Sequence, residues 1–302
     1  MKVEKEGMST DIVADYLTAL SNGRLSTSEV QDRFDWNLEQ QRALAEQLGE
    51  EGLILRESED GWEITNSNGM GEFTLAWRCG VPLLYLPHCT STNDVAAQFA
   101  LSDSNLRLVA SNYQTAGKGR MGRTWSAAED ENLLFSVIFR PKVSPEKVAR
   151  CALLWGAVIA DELGLKMKWP NDLQNSSGEK VGGILSQIEV SGGQLSHVIF
   201  GVGLNVNQLE FPDLPLASSM RLNAKSSDVI DRAALLARVL NRLLACDLDQ
   251  NLDIWRKNAS TLGQRVRIGD VEGLAEGVRE DGALIVDGNP VLAGDVHMVS
   301  GL

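Results

Sequence analysis

Apolar residues near the start of the chain recur at helical spacing. Ile12, Val13, Tyr16, Leu17 and Leu20 share one face, and Asn22-Gly23 ends the helix they predict. Ser26-Thr27-Ser28-Glu29 opens a second helix carrying Val30 and Phe34. Asn37 caps a third with Leu38, Leu44 and Leu48, and Gly49 lies just past its expected end. Leu53-Ile54-Leu55 and Trp62-Glu63-Ile64 then flank Glu59-Asp60-Gly61, a hairpin signal. Three short helices followed by a two-stranded wing predict a winged helix-turn-helix over residues 1–68. The polar, Asn/Ser/Gly-rich stretch 65–71 predicts a linker.

The texture changes from Val81. Residues 106–109, 132–139, 183–190 and 198–206 are apolar runs expected as buried strands. Between them, Pro145 after Ser144 starts a helix through Val148, Leu153, Trp155 and Ile159 to Gly164. A second amphipathic helix spans 231–247, with Leu235, Leu236, Val239, Leu240, Leu243 and Leu244 on one side. Strands mixed with helices predict a mixed α/β sheet domain over residues 69–261. From Gln264, Val266 and Ile268 alternate with Arg265 and Arg267, and Gly269-Asp270, Glu280-Asp281-Gly282 and Asp287-Gly288 mark tight turns. That pattern predicts a small β-barrel over residues 262–302. The fold class expected is therefore α+β and multidomain.

Composition narrows the classes. A length of 302 residues fits two or three units, and 43% hydrophobic residues suit a packed core. The formal net charge of −13 argues against a chain that binds nucleic acid or anionic membrane over its whole surface, but leaves room for one local basic site. Cys79, Cys89, Cys151 and Cys246 form no C-x-x-C pair, and His88, His197 and His297 are scattered, so no zinc ligand set is visible. Reduced cysteines, no signal peptide in residues 1–7 and no run of ~20 apolar residues predict a cytoplasmic protein without a membrane segment.

The basic segment Gly117-Lys118-Gly119-Arg120-Met121-Gly122-Arg123 stands out in this acidic chain. Its glycines satisfy G-x-G-x-x-G, but a strand (residues 133–139) follows instead of a helix, and the position for a ribose-binding acid falls near Phe139 and Arg140. A Walker A loop fails too, because Gly119 stands where Ser or Thr is required. What remains is a mobile loop with three cations and no acid. Its glycines let backbone approach an anion, and its arginines grip phosphate oxygens through a planar fork.

Residues 113–125, Tyr-Gln-Thr-Ala-Gly-Lys-Gly-Arg-Met-Gly-Arg-Thr-Trp, are similar to the ligand-binding loop of biotin protein ligases. Two departures stand out. The family usually has Arg where Lys118 stands, and often a second Arg where Met121 stands. Lys118 keeps the charge and loses the fork. Ser91-Thr92-Asn93 resembles the family's ring-binding segment, although by itself it is also an ordinary helix cap. Lys168-Trp169-Pro170-Asn171-Asp172-Leu173, Glu179-Lys180-Val181-Gly182-Gly183-Ile184-Leu185 and Gly201-Val202-Gly203-Leu204-Asn205-Val206-Asn207 follow in the family's order.

The resemblance implies a catalytic domain of the biotin/lipoate ligase type between a winged helix-turn-helix and an SH3-like barrel. It implies that Ser91, Thr92, Asn93 and Gln114 hold biotin's neutral ureido head, which needs neutral donors and acceptors. Lys118, Gly119, Arg120, Lys180, Gly182 and Gly183 would complete the biotin site. Lys118, Arg120, Arg123, Trp125, Asn171, Lys180 and Asn205 would hold ATP and the adenylate, with Arg120 and Lys180 catalytic and Asp172 facing Mg²⁺. The implied substrates are ATP and biotin, and the implied acceptor is a lysine of the biotin carboxyl-carrier domain of acetyl-CoA carboxylase. Bifunctional members of the family also bind operator DNA and pair when biotinyl-AMP is bound. Here the third helix has Arg42 as its only cation beside Glu39 and Glu46, which sets charge against architecture. The alternatives are a lipoate-type protein ligase and a ligand-responsive repressor without catalysis.

Overall fold

A computed structural model describes residues 8–67, 69–144, 147–192, 194–212, 214–247 and 252–299. The second and third helices form where their caps predict, and the first has a cap of its own. In α1 (Thr10–Ser21) the Ser9 hydroxyl accepts from Ile12 N. Both α2 (Thr27–Phe34) and α3 (Leu38–Glu50) open on capping boxes, Ser26 with Glu29 and Asn37 with Gln40. Helix α3 runs through Gly49, and it is Gly52, at φ +84°, that turns the chain. β1 (Leu53–Ser58) and β2 (Gly61–Ser67) pair antiparallel around a two-residue turn. Trp62 N donates to Leu25 O at 2.8 Å, and Trp62 Nε1 to Gln41 Oε1 at 2.8 Å, so the hairpin is fastened to the helices. Val13, Tyr16, Leu17, Trp36, Leu44 and Leu48 fill the core between them.

The expected linker is not a loose one. β2 continues to Ser67, and Gly69, Met70 and Gly71 are buried. A methyl group on Gly69 would lie 1.6 Å from Glu51 O, so only glycine lets the two backbones meet. The helix that follows, α4 (Glu72–Cys79), faces both ways: Phe73 joins the N-terminal core, while Leu75 and Cys79 join the central one.

The central sheet has seven strands: β3 (Leu83–Cys89), β4 (Leu108–Gln114), β5 (Leu133–Phe139), β6 (Lys166–Lys168), β7 (Asp172–Gln174), β8 (Lys180–Ser191) and β9 (Gln194–Leu204). Their order is β3-β4-β5-β9-β8-β7-β6, parallel between β3 and β4 and antiparallel elsewhere. α5 (Thr92–Ser102) covers one face through Ala96 and Ala100, which meet Val109, Ile138 and Ile199. The other face carries α6 (Val148–Leu163) and α8 (Arg232–Leu244), with Trp155 stacked on Phe139 at 4.0 Å. Gly164 caps α6 in the left-handed region, as its position predicted; Pro145 lies outside the described residues. Two short helices, α7 (Met220–Ala224) and α9 (Asp253–Asn258), complete the layer.

The last five strands, β10 (Arg265–Ile268), β11 (Val271–Val278), β12 (Leu284–Val286), β13 (Asn289–Val291) and β14 (His297–Met298), form an antiparallel sheet of order β13-β12-β11-β10-β14. Val266, Ile268, Leu284 and Val296 share a core with the central sheet, and Trp169 Nε1 donates to Gly282 O at 3.1 Å. Among the described residues no helix is long and apolar enough to cross a membrane.

Candidate functional site

The parallel pairing of β3 with β4 sets Cys89 beside Gln114. The segment entering α5 therefore runs alongside the start of the glycine loop, and Thr115 N and Ala116 N donate to Cys89 O and Thr90 O at 2.9 Å each. The loop folds back on itself: Gly119 N donates to Arg123 O at 2.7 Å and Trp125 N to Gly117 O at 2.9 Å. Beneath it lies a cavity of about 270 Å³. One end of its lining is neutral and polar, the other strongly charged.

At the neutral end stand Ser91, Thr92, Asn93 and Gln114. Ser91 occupies the N-cap of α5, yet its hydroxyl makes no capping bond, although the residue is 2% exposed. The ordinary helix-cap reading therefore fails for this serine. Thr92 N donates to Gln114 Oε1 at 2.7 Å and the Thr92 hydroxyl to the same oxygen at 3.1 Å. Asn93 Nδ2 donates to Leu185 O at 3.1 Å, while its Oδ1 accepts from Ser136 Oγ at 2.7 Å.

At the charged end, each cation meets an oxygen brought from another part of the chain. Lys118 Nζ lies 2.6 Å from Asp94 Oδ1, Arg123 Nη2 2.8 Å from Asp295 Oδ1, and Lys180 Nζ 2.6 Å from Asp172 Oδ1. Arg120 Nη1 donates to Asn171 Oδ1 at 3.2 Å and to Gly294 O at 3.5 Å. Burial pulls the Arg120 guanidinium below the usual arginine range; Asp295 opposes that fall and Arg123 adds to it. The loop has no acid of its own, as its sequence shows, but the tertiary structure supplies Asp94 from α5 and Asp295 from beside β14.

Glycines make the floor. A methyl group on Gly203 would sit 2.4 Å from Trp125 Cε2, and one on Gly183 3.1 Å from Trp125 Cζ3. The indole lies flat on the two strands, with Lys180 Nζ 5.6 Å from its ring centre. A methyl on Gly201 would fall 1.9 Å from Asn93 Oδ1. The Gly-Val-Gly spacing of β9 thus seats one polar and one aromatic wall of the cavity.

Asn171 is held by Nδ2 donating to Ile184 O at 2.8 Å, and Asn205 by Nδ2 donating to Ser218 O at 3.0 Å. All the residues that sequence reading placed at the site line the cavity except Gly182. Gly182 points to the opposite side of β8, where a methyl would meet Leu204 and Leu173 in the core. Its adjacency to Gly183 misled, because neighbours on a strand face opposite ways.

Sequence reading missed Asp94, Ser136 and Asp295, and also Phe211, Leu214 and Ala217, which close one side of the cavity. A signal existed for two of these groups. Ser136 interrupts the apolar run of β5, and residues 211–217 are unusually apolar for a connection. Nothing in the sequence pairs Asp94 with Lys118 or Asp295 with Arg123. Among the described residues no group of three or more His, Cys, Asp or Glu could share a metal ion. Asp172 offers a single carboxylate, which suits Mg²⁺ only when phosphate oxygens and waters supply the remaining ligands.

The family model described as the biotin/lipoate A/B protein ligase family matches residues 85–205. The bifunctional ligase/repressor BirA of Bacillus spizizenii is 30% identical over 232 residues, covering 69% of this chain and 70% of that one. The biotin–[acetyl-CoA-carboxylase] ligase of Mycobacterium tuberculosis is 31% identical over 231 residues, covering 68% of this chain and 85% of that one. A solved biotin protein ligase from Aquifex aeolicus in complex with biotin and ATP aligns with a TM-score of 0.60 at 25% identity, over 73% of this chain and 99% of that one. The motifs in their order, the cavity into which they fold and these likenesses agree: the chain belongs to the biotin protein ligase family.

Proposed function

We propose that this chain activates biotin with ATP, forming biotinyl-5′-AMP and pyrophosphate, and then transfers biotin to a lysine of a biotin carboxyl-carrier domain. One observation carries the reading: a single cavity joins a neutral hydrogen-bonding end to four cations. Biotin has the same division, a ureido ring at one end and a carboxylate at the other. In our assignment Ser91, Thr92, Asn93 and Gln114 hold the ring, and Gly183 leaves room for the chain. Lys118, Gly119, Arg120 and Lys180 meet the carboxylate. Arg123, Trp125, Asn171 and Asn205 join Lys118, Arg120 and Lys180 around the nucleotide. Lipoate's dithiolane ring has no N–H or C=O to engage the neutral end, so a lipoate-type activity is not favoured.

In the first step a biotin carboxylate oxygen attacks the α-phosphorus, and pyrophosphate leaves. Two anions must approach, and Lys180 and Arg120 offset the charge that builds between them. Asp172 would hold Mg²⁺, which would draw negative charge from the phosphates. In the second step a neutral acceptor amine attacks the acyl carbon, and AMP leaves. The loop over the cavity keeps water from the mixed anhydride meanwhile. Biotin-dependent ATP–pyrophosphate exchange tests the reading. Exchange with biotin and none with lipoate is expected; no exchange with biotin would sink it.

Gly203→Ala is expected to lower that exchange about 10- to 100-fold, since displacing a packed group costs roughly 1–3 kcal/mol. The indole can swing off the strand, so the melting temperature should move by only a few degrees. A variant that unfolds, or one that keeps full activity, would show that Gly203 does not serve as Trp125's seat.

We divide the chain into a winged helix-turn-helix (1–68), a catalytic domain (69–261) and an SH3-like barrel (262–302). Helices and hairpin give the first unit the form of a DNA reader, but its charge opposes that use. Residues 9–67 hold thirteen acidic side chains and four arginines. Arg42 lies against Glu57, Arg24 against Asp60 and Glu63, and Arg56 against Glu63. DNA binding rests on cations free to displace counterions from phosphates. Gel-shift assays with duplex DNA, biotin and ATP near 150 mM salt are expected to show no complex at micromolar protein. A sequence-specific shift below that concentration would restore the repressor reading.

Pairing of two copies through the central sheet with biotinyl-AMP bound is the assembly we infer. β7 covers only the first residues of β8, and Ile188 and Val190 are exposed farther along it.

A further inference from the structure

Ser136 sits in the middle of β5 with no accessible surface, flanked by Phe135 and Val137. A hydroxyl in such a place must find partners. It donates to Asn93 Oδ1 at 2.7 Å and to Thr92 Oγ1 at 2.8 Å, sharing one proton between two residues at the neutral end of the cavity. Ser136 is absent from the cavity lining.

The direction of the bonds around it can be worked out. Leu185 O can only accept, so the Asn93 atom facing it is Nδ2, and Oδ1 must face Ser136. Thr92 N can only donate, so the Gln114 atom facing it is Oε1. The same oxygen takes the Thr92 hydroxyl proton. Thr92 is therefore left with a lone pair for a ligand, and Gln114 with the donor Nε2. An acceptor beside a donor matches a group with N–H next to C=O. This builds on the biotin assignment above.

We infer that Ser136 is a positioning residue that sets the polarity of the ring-binding end: it orients Thr92 as an acceptor and fixes Asn93 across α5, β5 and β8. Without its proton the Thr92 hydroxyl can turn, and Asn93 Oδ1 loses its buried donor. The ureido ring then meets a mixture of donor and acceptor arrangements instead of one. The nucleotide end, whose residues Ser136 does not touch, stays as it was.

Ser136→Ala separates this from a role in packing alone. The expected result is a 10- to 100-fold rise in KM for biotin, with KM for ATP and kcat within about threefold of the parent and a melting temperature within a few degrees. Ser136→Thr, which keeps the hydroxyl, should restore KM for biotin to within about threefold. Ser136→Cys, a weaker donor of similar size, should fall between the two, and serves if the alanine variant does not fold. An unchanged KM for biotin in the alanine or cysteine variant overturns the inference. So do equal losses toward biotin and ATP, because loosened packing would spread to both ends. These comparisons need a parent enzyme that turns over biotin; absence of that turnover would count against the proposed function instead.

Discussion

Lys180→Met is expected to lower biotin-dependent ATP–pyrophosphate exchange by about 10²- to 10³-fold, the range seen when one preorganised charge-stabilising donor is removed from a closed site. The backbone of Lys180 is fixed on both sides: its N–H donates to Leu216 O at 2.7 Å, and Ser218 N donates to its carbonyl at 2.8 Å. Its ammonium is then delivered to Asp172 at 2.6 Å, above the Trp125 ring. That pair implies an exchange of partners. With no ligand bound, Asp172 neutralises the lysine. In the proposed reaction Nζ would turn to the carboxylate and α-phosphate, leaving Asp172 free to hold Mg²⁺. Methionine keeps the unbranched stem and removes only the charge. Because the pair is partly solvated, it contributes at most about 1 kcal/mol to folding, so the melting temperature should barely move while activity collapses. Exchange kinetics beside a thermal melt would show this. Activity within tenfold of the parent would remove Lys180 from the catalytic role.

Arg120→Gly should have its larger effect at a later stage. The guanidinium lines the cavity, and its Nη1 donates both to Asn171 Oδ1 beside the central sheet and to Gly294 O beside the last strand. It links the loop to both segments, and in the proposed reaction it would help retain the acyl-phosphate. A charged hydrogen bond of about 1.5–3 kcal/mol lost from the bound adenylate corresponds to roughly 10- to 100-fold faster escape. Formation of biotinyl-AMP should continue at a lower rate, since Lys180 remains to offset part of the charge. The released anhydride would then acylate exposed lysines on unrelated proteins. Rapid-quench release of labelled adenylate, with streptavidin blotting of an added bystander protein, reads both effects. A variant that retains its adenylate and labels only the carrier domain would assign retention to another residue, with Lys118 and Arg123 next to be tested.

How far the site was legible depends on what kind of contact made it. The glycine loop, the Ser91 segment, the Lys168-to-Asp172 string, Lys180 and Asn205 could be read because each is a short run whose chemistry lies in its own side chains. Caps were readable for the same reason: Ser26 with Glu29 and Asn37 with Gln40 are local pairs, and both formed. Short strands were not. β7 went unrecognised because three residues leave little periodicity to detect, and β3 because Pro87 interrupts a run that is only half-buried. The 65–71 segment read as a linker from its polarity. Residues 69–71 are buried, and Gly69 lets the backbone pass against Glu51 O, a close approach that composition does not report.

Taken alone, the sequence determined the family, the order of the longer elements and the set of charges available for an acyl-adenylate, since these depend on residue type and on spacing of a few positions. Tertiary structure decided which oxygen each cation faces, with Asp94, Asp172, Asn171, Asp295 and the carbonyl of Gly294 as the outcomes. It also decided that Gly183 lines the cavity while Gly182 supports the core, and that Ser136 acts on Thr92 and Asn93 from a separate strand. Coulombic attraction, strand pleat and buried hydrogen bonds all act over a few ångströms of space. Most of them join residues tens to more than a hundred positions apart, so those partners exist only once the chain has folded.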